Sequence, residues 1–227
     1  MSDTRLKPGF SVERAHKTQI SLSKHIVFED KIPDEIRSVG GIDVAYVEDF
    51  SIGVATVLDF PSLKLKESKT AMCRTMFPYI PTLLSFREIP PSVLAIRKLA
   101  TEPNVFLVDG HGYAHPYRCG FASHLGLVTG KPTIGVAKGM LVGDLEASKD
   151  DSDTVLITDR DEIIGAQITP RAGGKPLYVS VGHMISLRTA VKIVRECTVG
   201  RSIPEPIALA HDIAASEKRK INISIQT

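Results

Sequence analysis

Three carboxylates in this 227-residue chain have reason to meet. Asp43 sits inside the apolar run Ile42-Asp43-Val44, where a lone charge is too costly to leave unpaired; it must be neutralised, paired or bound to a cation. Asp109 ends the run Val105-Phe106-Leu107-Val108-Asp109 and precedes Gly110-His111-Gly112. Ligands of open α/β sheets bind outside the carboxyl ends of such strands. Glu88, between the two in sequence, offers a third oxygen. Carboxylates converging without nitrogen or sulfur partners suit Mg2+ or Mn2+ and not zinc. The plainer alternative makes Asp43 a pairing carboxylate and Asp109 a turn cap.

Other chemistries find less support. Gly110-His111-Gly112-Tyr113-Ala114-His115 lacks the third glycine of a dinucleotide fingerprint, and residues 126–132 have neither the glycine spacing nor the hydroxyl of a phosphate loop. There is no G-x-S-x-G and no H-E-x-x-H. His111 and His115 are four apart, but the flanking glycines and Pro116 argue against a shared helical face. Phe77-Pro78-Tyr79-Ile80-Pro81 is a short loop stiffened by two prolines that presents an aromatic and an aliphatic side chain. Core anchoring is the ordinary reading of such residues. Beside a metal site, a rigid apolar loop is what a wedge between stacked bases needs. Lys138 follows a strand and by itself reads as a surface lysine.

The elements that must position these residues follow from periodicity. Residues 10–27 have helical spacing with basic residues on an outer face. Residues 39–46, 51–60 and 64–76 are short, β-rich and separated by turns, as in an antiparallel meander. Residues 82–88 and 92–100 read as helices interrupted at Pro90-Pro91. Residues 104–109 form a continuous apolar run of the kind found in a buried parallel strand. Then come a helix over 119–129, a strand over 133–137, a polar loop over 143–153, strands over 154–158, 162–168 and 177–181, and helices over 186–197 and 206–220. Right-handed crossovers put the 104–109 strand parallel to and beside the first. The expected fold is therefore α/β, a ribonuclease H-like mixed sheet of three antiparallel strands followed by parallel ones, flanked by helices.

Length and composition fit one domain over residues 1–227. Hydrophobic residues make up 43% and charged residues 24%, a globular balance that excludes a fibrous or disordered chain. The sequence has no apolar run near the roughly 18 residues of a membrane span, and its first ten residues lack the apolar core of a secretory signal. Cys73, Cys119 and Cys197 are odd in number and far apart. That pattern excludes a disulfide framework and points to a reducing, cytoplasmic setting. With 28 basic and 26 acidic residues the net charge is +2, so a nucleic-acid partner must be held by a local patch.

Taken together, these blocks resemble the endonuclease V family of inosine-directed nucleases. The match is carried by Gly41-Ile42-Asp43, Phe77-Pro78-Tyr79-Ile80-Pro81, Phe86-Arg87-Glu88, Asp109-Gly110-His111-Gly112 and Ala114-His115-Pro116. It continues through residues 120–126 and 132–138 to Ile203-Pro204-Glu205-Pro206. The resemblance implies a Mg2+-dependent endonuclease of DNA repair, with Mn2+ substituting, that acts as a monomer on inosine-containing DNA or RNA. Such enzymes hydrolyse the second phosphodiester bond 3′ to deoxyinosine and leave 3′-hydroxyl and 5′-phosphate ends. It implies that Asp43, Glu88 and Asp109 are catalytic metal ligands and that Lys138 lies near the scissile phosphate. It also implies that Pro78, Tyr79, Ile80 and Pro81 form a strand-separating wedge, and that Leu84, Gly110 and Gly120 close around a flipped base. Ala210-His211 matches an active-site histidine of the last helix, although Asp212 beside it is an alternative ligand. His111 occupies a variable position and is given no role. An inosine pairs less stably than the base it replaces, so flipping it costs less than extruding an intact pair. Two rivals stand beside this reading: an actin-like phosphotransferase, for which the chain is short, and a metal-free binding module of the same fold.

Overall fold

The computed structural model describes residues 11–148, 153–170 and 174–226. Outside them fall the first ten residues, and with those the start of the expected 10–27 helix, and residues 149–152 of the expected 143–153 loop. Along the chain run α1 (Val12–Ser23), β1 (Ser38–Val47), β2 (Phe50–Asp59), β3 (Leu65–Arg74), α2 (Leu84–Ile96), β4 (Val105–Asp109) and α3 (Phe121–Thr129). They are followed by β5 (Thr133–Ala137), β6 (Asp144–Ala147), β7 (Thr154–Asp159), β8 (Glu162–Ile168), β9 (Leu177–His183), α4 (Leu187–Glu196) and α5 (Glu205–Gln226). α1 begins where the Ser11 side chain accepts a hydrogen bond from the Arg14 amide, the usual N-cap arrangement.

Among the described residues, the strands form one mixed sheet of nine, in the order β3-β2-β1-β4-β5-β9-β8-β7-β6. β1, β2 and β3 make the expected meander, and β4 lies parallel to and beside β1. Helices cover both faces. Ile42, Ala55, Phe106 and Val108 look toward α2 and α3, where they join Ala95, Ile96 and Leu125 in one core. Val39, Leu58, Leu107, Val136 and Val181 look the other way, toward α4 and the start of α5, with Ala190, Val194 and Ile207. Strands buried on both faces read as unbroken apolar runs, which is how β4 and β5 are written.

α5 approaches β1 backbone to backbone: a Cβ on Gly41 would lie 2.0 Å from the Pro206 carbonyl oxygen. Glycine is required there by contact. The Thr56 hydroxyl donates to the same oxygen at 3.0 Å.

Two elements differ from expectation. α2 runs unbroken through Pro90 and Pro91, although each proline removes a helical hydrogen bond and crowds the preceding turn. Tertiary packing overrides that local cost: the Pro91 carbonyl rests against β2 at Gly53, and Pro91, Ser92, Ala95 and Ile96 are buried. The 143–153 stretch contains β6, an edge strand exposed at every position. A strand solvated on both faces has no alternation to betray it. Among the described residues, no helix is long and apolar enough to cross a membrane.

Candidate active site

The register of β1 on β4 pairs Ile42 with Val108, so Asp43 and Asp109 are the next residues along two adjacent parallel strands. Both lie on the side of the sheet that α5 covers, and α5 brings His211 down onto them. Its Nδ1 lies 2.9 Å from Asp43 Oδ2. One ligand atom from each of Asp43, Asp109 and His211 falls within 4.8 Å of the others. From β5, which pairs Val136 with Asp109, the chain continues to Lys138, and its Nζ donates to Asp109 Oδ2 at 2.7 Å. The neighbouring Asp212 turns away and pairs with Arg201 at 2.6 Å. Of the two late candidates, His211 is the one that faces the cluster.

Glu88 arrives from the opposite layer. It sits on α2, which packs against the other face of the meander, and its Oε1 accepts a hydrogen bond from the Tyr46 hydroxyl at 2.9 Å. It is not among the atoms within 4.8 Å, yet its carboxyl still feels both aspartates. Burial pushes the Glu88 carboxyl up to about 8, with the charges of Asp43 and Asp109 adding to the rise and the Tyr46 hydrogen bond opposing it. Asp43 is likewise held above the usual carboxylate range, first by burial and then by Asp109; the Val44 amide and His211 partly offset this. The fold thus gathers more negative charge than Lys138 and His211 relieve. The carboxylate oxygens suit a divalent cation of the Mg2+ or Mn2+ kind and fit one, while the His211 nitrogen, a donor for softer metals, is bonded to Asp43 and stands beside that set.

The sequence assigns no role to Tyr46, and Arg87 enters it only as part of the Phe86-Arg87-Glu88 block. The Arg87 guanidinium lies over the Tyr46 ring, 4.1 Å from its centroid, and its Nη1 reaches the Phe77 carbonyl at 3.4 Å. The available signal was a phenol at the end of an otherwise apolar strand, three residues after Asp43.

Through Arg87 the acidic cluster is joined to the Phe77-Pro78-Tyr79-Ile80-Pro81 segment. Phe77 stacks on Phe86 with centroids 5.5 Å apart, and the Leu83 amide donates to the Ile80 carbonyl. Tyr79, by contrast, is 69% exposed. It does not anchor in the core. Pro78 and Ile80 are half-buried and Pro81 is exposed.

Gly110 and Gly120 belong to the loop between β4 and α3. A Cβ on Gly120 would meet the His111 carbonyl oxygen at 2.4 Å, so the loop closes only around a glycine. The Gly120 amide donates to the Gly112 carbonyl. Leu84 opens α2, and its neighbour Ser85 is hydrogen-bonded to His124, which lies one turn beyond Gly120. The His111 ring is mostly buried, bonded to the Gly139 backbone, with its Nδ1 unpartnered among the described residues.

Residues 20–212 match the model of one protein family, described as endonuclease V. The endonuclease V of Thermofilum pendens is 43% identical over 216 residues, covering 95% of this chain and 92% of that protein. The crystal structure of endonuclease V from Streptomyces avermitilis superposes with a TM-score of 0.86 at 33% identity, covering 96% of this chain and 99% of that one. Endonuclease V of Ciona intestinalis, solved in complex with a 24mer DNA containing an inosine followed by a ribo-adenosine, superposes with a TM-score of 0.83 at 32% identity. That match covers 92% of this chain and 98% of the other. Matches of this length and identity leave one assignment: this chain belongs to the endonuclease V family of nucleases.

Proposed function

We propose that this protein is a Mg2+-dependent endonuclease of DNA repair that hydrolyses the second phosphodiester bond 3′ to deoxyinosine, leaving 3′-hydroxyl and 5′-phosphate ends. The observation that carries the reading is the cluster of Asp43, Asp109 and His211 beside Lys138. Asp43, Asp109 and Glu88 would hold the ion, with His211 beside them. When bound, Mg2+ lowers the pKa of a coordinated water and offsets charge on the leaving oxygen. Mn2+ serves in its place.

The chain's own residues supply the rest. Lys138 presents its ammonium to the phosphate that approaches Asp109, and a fixed cation at a developing negative charge is a large catalytic effect. His211, hydrogen-bonded to Asp43, orients its imidazole toward the attacking side. Tyr79 and Ile80 enter the base stack from a loop that Pro78 and Pro81 hold ready, so little entropy is lost on binding. Leu84, Gly110 and Gly120 enclose the extruded base.

A second reading, cleavage next to inosine in RNA, draws on the ribo-adenosine that follows the inosine in the DNA bound by the Ciona relative. One experiment tests both. Matched DNA and RNA strands with a single inosine are incubated with and without Mg2+, and the ends are mapped. Mg2+-dependent cutting of the DNA at the second bond is expected; cutting of RNA alone favours the second reading, and no cutting of either defeats both.

A further inference from the structure

The segment carrying Tyr79 and the loop carrying Gly110 and Gly120 are far apart in sequence and lie outside helices and strands; they run into α2 and α3, which are joined by Ser85 and His124, and a second tie comes from elsewhere. α1 ties them together. Gln19 is fully buried, and its Nε2 donates both to the Thr82 carbonyl at 2.8 Å and to the Cys119 carbonyl at 2.9 Å. Thr82 leaves the proline-stiffened segment and Cys119 immediately precedes Gly120. One amide group therefore holds the end of one segment against the end of the other. His16, three residues earlier on α1, repeats the connection: its Nε2 is hydrogen-bonded to Thr82 Oγ1 at 3.0 Å, and its ring stacks on Tyr117 at 3.9 Å.

Thr82 itself is strained. Its φ is +71°, a left-handed conformation that β-branched residues avoid and that persists only where the surroundings over-determine it. The surroundings here are Gln19 and the His115 ring on its carbonyl and His16 on its hydroxyl. Gln19 Oε1 has no partner among the described residues, so the side chain is kept in place for what its two N–H bonds hold. Neither residue touches the acidic cluster, and both precede the 20–212 stretch matched to the family.

We propose that Gln19, seconded by His16, is a positioning residue that sets the separation between the Tyr79 segment and the pocket around Gly120, and through it the preference for inosine within a duplex. This rests on reading the site as an inosine nuclease. The wedge and pocket must engage one flipped nucleotide at once in a duplex, whereas a single strand needs no wedge.

The test compares steady-state cleavage of a duplex and of a single strand carrying the same inosine, with Mg2+, beside thermal melts. Wild-type protein that ignores inosine in both substrates defeats the functional reading itself. Given inosine-dependent cutting, Gln19→Met should raise KM on the duplex by about tenfold, the effect of losing a buried hydrogen-bonded anchor. Its kcat should stay within about twofold, and KM on the single strand should rise by less than about threefold. His16→Phe keeps the stack on Tyr117 and should shift duplex KM by about threefold in the same direction. The double variant should be no worse than Gln19→Met alone, because both side chains act on Thr82. A merely structural residue would lower the melting temperature and the active fraction and leave KM unchanged. Unchanged duplex KM, or an equal rise on both substrates, overturns the proposal; should Gln19→Met fail to fold, His16→Phe decides alone.

Discussion

At the acidic cluster, charges are pressed together inside the protein; in the 77–81 segment, an aromatic ring is held out in water. Asp43 and Asp109 face each other from paired strands and raise Asp43 above its usual range, after burial itself. Tyr79 stands 69% exposed on a segment whose neighbour Leu83 is entirely buried. Each arrangement is locally unfavourable and is held by the elements around it: sheet register in one case, prolines and the Phe77–Phe86 stack in the other. On the proposed function, each is completed by a different thing, a cation in the first and a base stack in the second. Departures from local optimum of this kind concentrate at functional sites.

The comparison is broken most severely at the cluster. Asp43→Ala or Asp109→Ala should reduce nicking by about 1,000-fold or more, while the melting temperature holds or rises because like-charge repulsion is relieved. Wild-type-like nicking by either variant would remove the ion from the argument. Lys138→Ala should cost about 100-fold in a single-turnover rate. It leaves Asp109 without its ion pair, so its melting temperature should move the opposite way from that of the aspartate variants, and only slightly, since the lysine is exposed.

At the other region the expected loss is in binding. Tyr79→Ala should weaken affinity for inosine duplex by roughly 10- to 100-fold, with a smaller loss on single strands and an unaltered melting temperature. Lower thermal stability with equal loss on every substrate would mark Tyr79 as a packing residue. Tyr46→Phe sharpens the boundary between the regions. Without the phenol's hydrogen bond, half-maximal activity should need roughly tenfold more Mg2+, the scale of effect seen for groups that orient metal ligands. Duplex affinity measured without metal should not change.

The smallest effect is a pH dependence of stability. Burial lowers His111, His115 and His124 from 6.5 to about 4, and for His115 the neighbouring His111 adds to this. The unfolded chain takes up these protons near 6.5, and the folded chain only near 4. Their contribution is therefore intact above pH 6.5 and lost progressively as the pH falls toward 4. Melting temperatures across that window, without nucleic acid, should trace the decline, and Tyr79→Ala should follow the same curve.

Much of this arrangement is legible in the sequence because buried parallel strands are written as apolar runs. Asp43 and Asp109 stand out against Ile42, Val44 and Val108, and their adjacency follows from the crossover between the strands. What escapes has physical reasons. The prolines of α2 are read locally as a break, but burial of Pro91 and Ser92 against β2 decides the matter. β6 is too exposed to show a pattern. Glu88 is expected as the third carboxylate, and what its spacing does not show is that it comes from the other helical layer, bonded to Tyr46. Which side of a sheet a helix covers is not encoded in spacing. Gln19 reads only as a polar residue on a surface helix, because its partners lie 63 and 100 residues away.

The contact of Pro206 with Gly41 has a consequence for how the chain tolerates changes in length. It fixes where α5 begins against β1, and His211 lies five residues further on. One inserted residue between them would rotate everything beyond by about 100° and advance it by about 1.5 Å. The imidazole would then swing off Asp43 while the helix remained intact. Residues 206–211 therefore act as a ruler: substitutions on the outer face are absorbed, whereas insertions and deletions are not, and length can vary only after the histidine has been delivered.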